Sequence, residues 1–323
     1  MTVVVRVPAS ASNLGGGFDC VGVAVDRWLQ LEAHHGHERA AGVIIDREGT
    51  LAAVRCEPEQ DHLYTGFVAA CARAGHPVPH AVAFRATSEI PVGRGLGSSA
   101  AAYVAGAAAA NALLELGLSD DDLIAICSDL EGHPDNVTAA VRGGAMLALI
   151  AEGGAYHTAP LEVHASLRLV FATPDFEVDT KRARAALPDA IPHVDARRAA
   201  AVSAALVLGL AQADPILLAA GLEGPLHIPY RRPLVRGYDA VVDAACIAGA
   251  IGATLSGSGS TIVGLASVDI APAVAQAMAA AWRTIGVSAT TFTSAPSPHG
   301  YSASRPDDSR GAPQLSNSNV HIS

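Results

Sequence analysis

The sequence predicts a globular protein that combines strands and helices around a glycine-rich loop, in one large domain or in two of ordinary size. Half of its 323 residues are hydrophobic, which is ample material for a core. Only 4% are aromatic, so the core must be built from Ala, Val, Leu and Ile. Apolar runs with the period of strands and of helices occur along the chain, and loops of small residues interrupt them.

The composition excludes several classes of partner. A net charge of −10, from 21 basic against 31 acidic side chains, argues against a nucleic-acid or anionic-membrane surface. Any phosphate group must therefore be held locally, by loop N–H groups, a metal ion or a few arginines. Five scattered cysteines, no signal-peptide pattern and an Ala-rich run at 100–113 too short to span a membrane predict a cytoplasmic protein.

In the first part of the chain, apolar periodicity predicts strands at 2–7, 21–33, 41–46 and 80–88 and a helix at 62–74. Small polar side chains and three consecutive glycines fill residues 8–25 and predict a tight loop in which the backbone can approach a ligand. Asn13 and Asp19 flank these glycines. The alternative is an ordinary turn in which both side chains bond their own backbone.

The glycine-rich loop lies in residues 90–104, I-P-V-G-R-G-L-G-S-S-A-A-A-Y-V. Its three glycines alternate, and Ser98, Ser99 and an alanine-rich helix that extends to about Leu116 follow them. A glycine loop that leads into a helix directs backbone N–H groups and a positive dipole end at an anion. We therefore predict a phosphate loop, though not a Walker A loop, because no Lys follows the last glycine. The alternative is a glycine-rich turn before a buried helix.

An acidic helix follows, with Ser119 as its predicted N-cap, and it leads into a dense polar cluster. Such a cluster is costly in an apolar chain unless a ligand or metal uses it. Hard carboxylate oxygens suit Mg²⁺ held together with substrate phosphates, and the alternative is a solvated helix end. The cluster comprises Asp129, Glu131, His133, Asp135 and Asn136.

The second half of the chain predicts a further set of elements. They are strands at 145–150, 167–173 and 287–293, helices at 178–188, 195–223 and 270–284, an arginine-bearing loop at 227–234 and a Gly/Ser loop at 252–265. From Ser294 onward Ser, Pro, Asn and Asp dominate, which predicts a disordered tail over 294–323.

The order of these loops resembles the galactokinase, homoserine kinase, mevalonate kinase and phosphomevalonate kinase (GHMP) superfamily. P-V-G-R-G-L-G-S-S-A-A is its most specific signature. P-A-S-A-S-N-L-G-G-G-F-D, E-G-H-P-D-N-V and L-S-G-S-G-S-T narrow the resemblance to the homoserine kinase family. It implies a two-domain α+β fold. An N-terminal ATP-binding domain like the second domain of ribosomal protein S5 would cover 1–150, and a ferredoxin-like C-terminal domain would cover 151–293.

The resemblance also implies roles at the substrate site. Asp19 would pair with the substrate ammonium, and Arg184 and Arg231 would clamp its carboxylate. Asn13 and His133 would make further substrate contacts. Asn136 would orient the reacting hydroxyl, with Asp135 in the segment where some superfamily members have a catalytic base.

Phosphate and metal ligands are implied in the same way. Ser98 or Ser99 and Asp129 would lie near Mg²⁺, with Glu131 as a rival metal ligand. Asp129 stands where the family usually has Glu, which puts its direct metal contact in doubt. The Gly/Ser loop 255–260 would close against the phosphates. The ATP phosphates would be held by Pro91, Val92, Gly93, Arg94, Gly95, Leu96, Gly97, Ser98, Ser99, Ala100 and Ala101.

The function implied is ATP-dependent phosphorylation of L-homoserine to O-phospho-L-homoserine, a step toward threonine, with ATP and Mg²⁺. Two alternatives remain: a related kinase for another small alcohol, and a nucleotide-binding regulator that has lost turnover. The sequence leaves the oligomeric state open, a homodimer included.

Overall fold

The computed structural model describes residues 2–36 and 42–305. Its strands are β1 Thr2–Asn13, β2 Gly17–His35, β3 Gly42–Gly49, β4 Ala81–Ser88, β5 Ala145–Ile150, β6 Tyr156–Leu161, β7 Leu167–Pro174, β8 Gly252–Leu255, β9 Ile262–Ser267, β10 Ala289–Ser294 and β11 Ser302–Ser304. Its α-helices are α1 His62–Arg73, α2 Ser98–Leu114, α3 Asp120–Glu131, α4 Asp135–Arg142, α5 Thr180–Ala185, α6 His193–Gln212, α7 Pro215–Gly221, α8 Ile228–Arg231, α9 Tyr238–Ile247 and α10 Ala271–Thr284. Short 3₁₀ turns cover Thr50–Ala53, Pro58–Gln60 and Arg232–Leu234.

Two sheets organise the described residues. The first has seven strands in the order β11-β1-β2-β4-β3, and β5 extends it from β2 and carries β6. All its pairings are antiparallel except β3 with β4. The second is a four-stranded antiparallel sheet in the order β10-β7-β9-β8. The mixed strand and helix content confirms the predicted α+β class.

Two apolar cores lie against these sheets. The larger packs helices α1 to α4 on the first sheet and also takes in Leu169 and Leu265 from the second sheet. The smaller packs α9 and α10 on the other face of the second sheet around Trp282. Alanine and valine supply much of both cores, as the low aromatic content predicted. In α3 the predicted cap is confirmed, because Ser119 and Asp122 form a reciprocal capping box.

The predicted loop at 8–25 is mostly strand, which corrects the sequence interpretation. β1 continues to Asn13 and pairs with β2 across two register shifts, so the turn is only three residues long. The small polar residues suit a buried strand because other elements satisfy them: Ser10 donates to Asn136 Oδ1 (2.9 Å), and Ser12 Oγ accepts from Asn136 Nδ2 (2.9 Å). β1 therefore lies against the N-terminus of α4, while the glycine turn beyond it packs on α7, where Gly16 N donates to the Gly221 carbonyl (2.7 Å).

The predicted disordered tail is also corrected, as far as residue 305. Ser294 ends β10 in the second sheet, Pro296 bridges to Val25, and β11 pairs with β1 through Val4–Arg6, so the segment 296–305 is ordered against the first sheet. Ser302 and Ser304 are exposed and add backbone pairing at the sheet edge rather than core, so the polar composition of this segment does not reveal its order. The rest of that prediction, 306–323, lies outside the described residues.

In the second half of the chain, the observed elements differ from the predicted ones in smaller ways. The predicted loop at 227–234 contains α8 and a 3₁₀ turn, and the sequence analysis missed α9 and β6. β6 pairs with β5, so the first sheet continues to Leu161, past the predicted domain boundary at residue 150. The division into two domains at that boundary remains a prediction.

Candidate active site

A polar cleft lies where the glycine loop, the β1–β2 turn, the start of α4, α5 and α8 meet. Most of the residues singled out from the sequence line it. They are Asn13, Asp19, Gly93, Gly95, Gly97, Ser98, Ser99, Glu131, His133, Asn136, Arg184 and Arg231.

The glycine loop forms one wall of the cleft. Gly93, Gly95 and Gly97 have φ values of 67°, 73° and 67°, which explains the alternation of glycines. A Cβ on Gly95 would lie 2.1 Å from the Ser256 carbonyl oxygen, and one on Gly97 would lie 2.2 Å from Ser10 Oγ. α2 begins directly after the loop, so its unpaired first-turn N–H groups face the cleft side. The loop therefore suits phosphate oxygens.

Not every predicted loop residue reaches the cleft. Leu96, Ala100 and Ala101 are buried in the core and support the loop from behind. Arg94 points to the second sheet, where its guanidinium donates to the carbonyls of Pro174 (3.1 Å) and Asp175 (3.1 Å). The Arg94 side chain therefore ties the glycine loop to the end of β7 in the second sheet and does not line the cleft.

The Gly/Ser loop lies between β8 and β9, as predicted, and it closes on the glycine loop. Ser256 Oγ donates to the Gly95 carbonyl (2.6 Å), and Gly257 N donates to the Ser12 carbonyl (3.0 Å). The Gly/Ser loop of the second sheet is therefore bonded both to the glycine loop and to the end of β1.

The two rival carboxylates of α3 have different surroundings. Glu131 Oε1 accepts a 2.6 Å hydrogen bond from Ser99 Oγ at the start of α2, inside the cleft. Asp129 lies outside it and accepts from the Tyr156 hydroxyl at 2.8 Å. Burial, followed by this bond to Asp129, raises the pKa of Tyr156 to about 12. The expected metal contact of Asp129 does not fit this placement, and Glu131 takes its place beside the phosphate loop.

At the start of α4, His133 and Asp135 form a pair, with 2.7 Å between His133 Nδ1 and Asp135 Oδ1. Burial acts to lower the pKa of His133, but the bond to Asp135 and the charges of Asp135, Glu131 and Asp19 outweigh it and raise the pKa. Asp135 is only 1% exposed, and its Oδ2 has no partner among the described residues. His133 lines the cleft and Asp135 lies behind it, so the role of Asp135 as a base remains a prediction.

Asn13 and Asp19 take strained positions at the other end of the cleft. Their φ values are 71° and 55°, and Asn13 Oδ1 accepts from Asp19 N (2.9 Å) while its Nδ2 donates to the Gly257 carbonyl (2.8 Å). Arg184 on α5 makes a bidentate ion pair with Asp19, at 2.9 and 3.1 Å. An anion and a cation thus face each other at the cleft mouth.

Arg231 lies deeper in the cleft wall and is 2% exposed. Its guanidinium donates to the carbonyls of Gly257 (3.3 Å) and Ala183 (3.4 Å), and no carboxylate in the described ranges lies within ion-pair distance. Burial lowers its pKa to about 10, partly opposed by the charge of Asp19, so it stays protonated at neutral pH. This buried charge lacks a counter-ion and suits an anionic ligand group.

A second, apolar cavity of about 340 Å³ opens beside the glycine loop. Leu51, Val54, Leu63, Val92 and Ala102 line it, with polar groups from Gln60 and His62. The sequence analysis assigned no role to residues 50–61, because their short 3₁₀ turns carry no periodic signal. A flat apolar ring system attached to phosphates would fit between this cavity and the loop.

The described residues contain no cluster of three or more His, Cys, Asp or Glu side chains that could hold a metal by themselves. They do place Glu131 and Ser99, one carboxylate and one hydroxyl, beside the phosphate loop. This donor set fits Mg²⁺, which is usually held by one or two carboxylates together with substrate phosphates. None of the helices in 2–36 and 42–305 is long and apolar enough to cross a membrane.

Comparison with known proteins gives consistent matches over both halves of the chain. The GHMP kinases N terminal domain family matches residues 62–144, and the GHMP kinases C terminal family matches residues 206–284. A homoserine kinase of Picosynechococcus sp. is 39% identical over 290 residues, which cover 89% of this chain and 94% of the relative. One of Gloeobacter violaceus is 41% identical, over 86% of this chain and 92% of the relative. The crystal structure of homoserine kinase from Cytophaga hutchinsonii superposes with a TM-score of 0.83 at 29% identity, covering 94% of this chain and 97% of that one.

Proposed function

The chain belongs to the GHMP kinases and, within them, to the homoserine kinase family, and from this membership we propose that it transfers the γ-phosphoryl group of ATP to the side-chain hydroxyl of L-homoserine. One observation supports this proposal most directly. The cleft that contains the glycine loop also holds the Asp19 carboxylate together with two guanidinium groups, Arg184 and Arg231. An amino acid carries the complementary pair of charges.

The zwitterion would use these groups as follows. Asp19 takes the ammonium group, and Arg231 takes the carboxylate, since it is buried without a counter-ion among the described residues. Arg184 now pairs with Asp19 and would turn to the same carboxylate. An amino acid thus exchanges one internal ion pair for three pairs with the ligand, whereas an alcohol without charges leaves Arg231 unpaired.

ATP would occupy the glycine loop and the apolar cavity beside it. The loop N–H groups and the start of α2 hold the phosphates, and the cavity around Leu51 and Val92 holds the base. Glu131 and Ser99 would hold Mg²⁺ against these phosphates, where the ion neutralises negative charge.

Positioning and charge neutralisation supply most of the rate in phosphoryl transfer. The Asn136 amide is fixed by Ser10 and Ser12 and lines the cleft, where it would orient the substrate hydroxyl. Asp135 holds His133 rather than facing the substrate, so we assign it to positioning and not to proton abstraction. The hydroxyl proton would then pass to the phosphoryl group.

The test is ATP consumption by the purified protein with Mg²⁺, with and without L-homoserine, with the product identified by ³¹P NMR. Formation of O-phosphohomoserine supports the proposal, and Asp19→Asn should raise the KM for homoserine while leaving that for ATP unchanged. Turnover only with another small alcohol would indicate a related kinase. ATP binding without turnover on any alcohol would indicate a regulator.

A further inference from the structure

Arg231 rests on an aromatic stack that no substrate contact explains. Its guanidinium carbon lies 5.1 Å from the centre of the Phe18 ring. His227 also stacks on that ring, at 4.9 Å with an angle of 15° between the planes. His227 and Arg231 are joined by a helical i to i+4 hydrogen bond, so one turn of chain carries both the guanidinium and the imidazole that contact Phe18.

The imidazole of His227 is held in place by a hydrogen bond and is uncharged. His227 is fully buried, and 3.1 Å separates its Nε2 from the Gly15 carbonyl, so Nε2 is the protonated nitrogen. Burial, followed by the charge of Arg231, lowers the pKa of His227 to about 3. A neutral imidazole adds no repulsion behind the arginine. Its anchor is the same glycine turn that leads to Asp19.

An aromatic face orients a guanidinium without consuming its edge donors. A carboxylate would hold Arg231 as firmly but would compete with the ligand for those N–H groups. The negative face of the Phe18 ring attracts the cation and, beside the two bonds to the Ala183 and Gly257 carbonyls, leaves the remaining Nη1 and Nη2 hydrogens for a planar bidentate partner. Because Phe18 directly precedes Asp19, the stack also fixes the carboxylate-binding group relative to the ammonium-binding group.

We propose that Phe18, supported by His227, is a positioning residue that holds Arg231 for the substrate carboxylate. It thereby sets the distance between the groups that bind the carboxylate and the ammonium of an amino acid. This inference rests on the proposed function, because it needs an amino-acid substrate. It assigns a role to two residues that touch Arg231 or each other rather than the reacting atoms.

The experiment compares Phe18→Leu with Phe18→Tyr in the full chain. Loss of the ring should raise the KM for homoserine by about 2- to 30-fold, the range of a cation–π contact, while the KM for ATP changes less than about twofold. Phe18→Tyr keeps the ring and should restore the wild-type KM. With 3-aminopropan-1-ol, which lacks the carboxylate, Phe18→Leu should leave the KM unchanged. Should the leucine variant not fold, Phe18→Met replaces it.

The chain offers a matched control at Phe292. That ring also stacks on another, Phe171, at 15° and 4.6 Å, and Arg27 lies 4.4 Å from its centre, but it is outside the cleft. Phe292→Leu should leave both KM values unchanged. An unchanged homoserine KM in Phe18→Leu, or equal increases for ATP or for the decarboxylated alcohol, overturns the inference. A wild-type protein that does not phosphorylate homoserine overturns the proposed function instead.

Discussion

Glu131 and Asp129 lie two residues apart on α3, and only Glu131 faces the cleft, through its bond to Ser99. We expect Glu131→Gln to lower kcat by at least about 100-fold, because it removes the carboxylate that would balance the metal charge. Asp129→Asn should change kcat less than about threefold, since its partner is Tyr156 outside the cleft. Steady-state kinetics over a Mg²⁺ series checks this prediction. A larger loss in Asp129→Asn would restore the assignment made from the sequence.

His133 gives a pH-dependent prediction. Its pKa is raised in the folded protein, so the folded state binds the proton more tightly than the unfolded state. That stabilisation is complete below the usual histidine pKa of about 6.5 and is lost as pH rises through the folded-state pKa. The free energy of unfolding of wild type minus that of His133→Gln should therefore shrink from pH 5.5 to pH 8.5 in urea titrations. A constant or growing difference would contradict the raised pKa.

The sequence could name the residue types of the site but not their directions. All five residues of the polar cluster were identified, yet Asp129 lies outside the cleft and Asp135 is buried behind His133. Residues two apart on a helix do not share a face, so one of Asp129 and Glu131 had to point elsewhere. The choice depended on Ser99, which is 32 residues away in sequence and becomes a neighbour only through packing.

At the scale of elements, the glycine loop packs directly against β1, where Ser10 N donates to the Leu96 carbonyl (3.2 Å). A Cβ on Gly97 would lie 2.2 Å from Ser10 Oγ, which donates to Asn136, and the residue has φ of 67°. Gly97→Ala should therefore lose about 1–3 kcal/mol of unfolding free energy and raise the KM for ATP, because the loop and the Ser10–Asn136 bond both shift. Thermal unfolding and ATP kinetics measure the two effects.

Gly117→Ala is the matched control, since Gly117 has φ of 71° but nothing within 4 Å of its Cβ position. Gly117→Ala should lose only about 1 kcal/mol of unfolding free energy, from backbone strain, and should leave the KM for ATP unchanged. Equal effects of the two substitutions would mean that the conformation alone, and not contact with Ser10, makes Gly97 necessary.

Local periodicity predicted most elements of this fold, among them the helix at 62–74, the strand at 80–88 and the capped α3. It missed the parts that depend on distant partners. β1 beyond Pro8 is strand because Asn136 satisfies its buried serines, and β11 is strand because β1 offers a free edge. Neither condition can be read from the segment itself.

At the scale of the whole molecule, residues 296–305 form a strap across the first sheet and the end of α4. Ser297 N donates to the Ala24 carbonyl (2.8 Å), and the Ser297 carbonyl accepts from Gly144 N (2.6 Å). Tyr301 N donates to the Ala140 carbonyl (2.9 Å), and its hydroxyl donates to Asp120 (3.0 Å). The strap therefore fixes the C-terminal end of the helix whose N-terminal end presents Asn136 to the cleft.

We expect a chain that ends at residue 295 to be less stable and less active than a chain that ends at residue 305. Four hydrogen bonds, the Arg305–Glu115 ion pair and the β11–β1 pairing separate the two chains, and a loss of about 2–3 kcal/mol lowers Tm by roughly 5–10 °C. Calorimetry and homoserine-dependent ATP consumption on both chains measure the difference. If the shorter chain does not fold, Tyr301→Phe in the longer one should still cost about 1 kcal/mol. Equal Tm and kcat in the two truncated chains would mean that α4 holds its position without the strap.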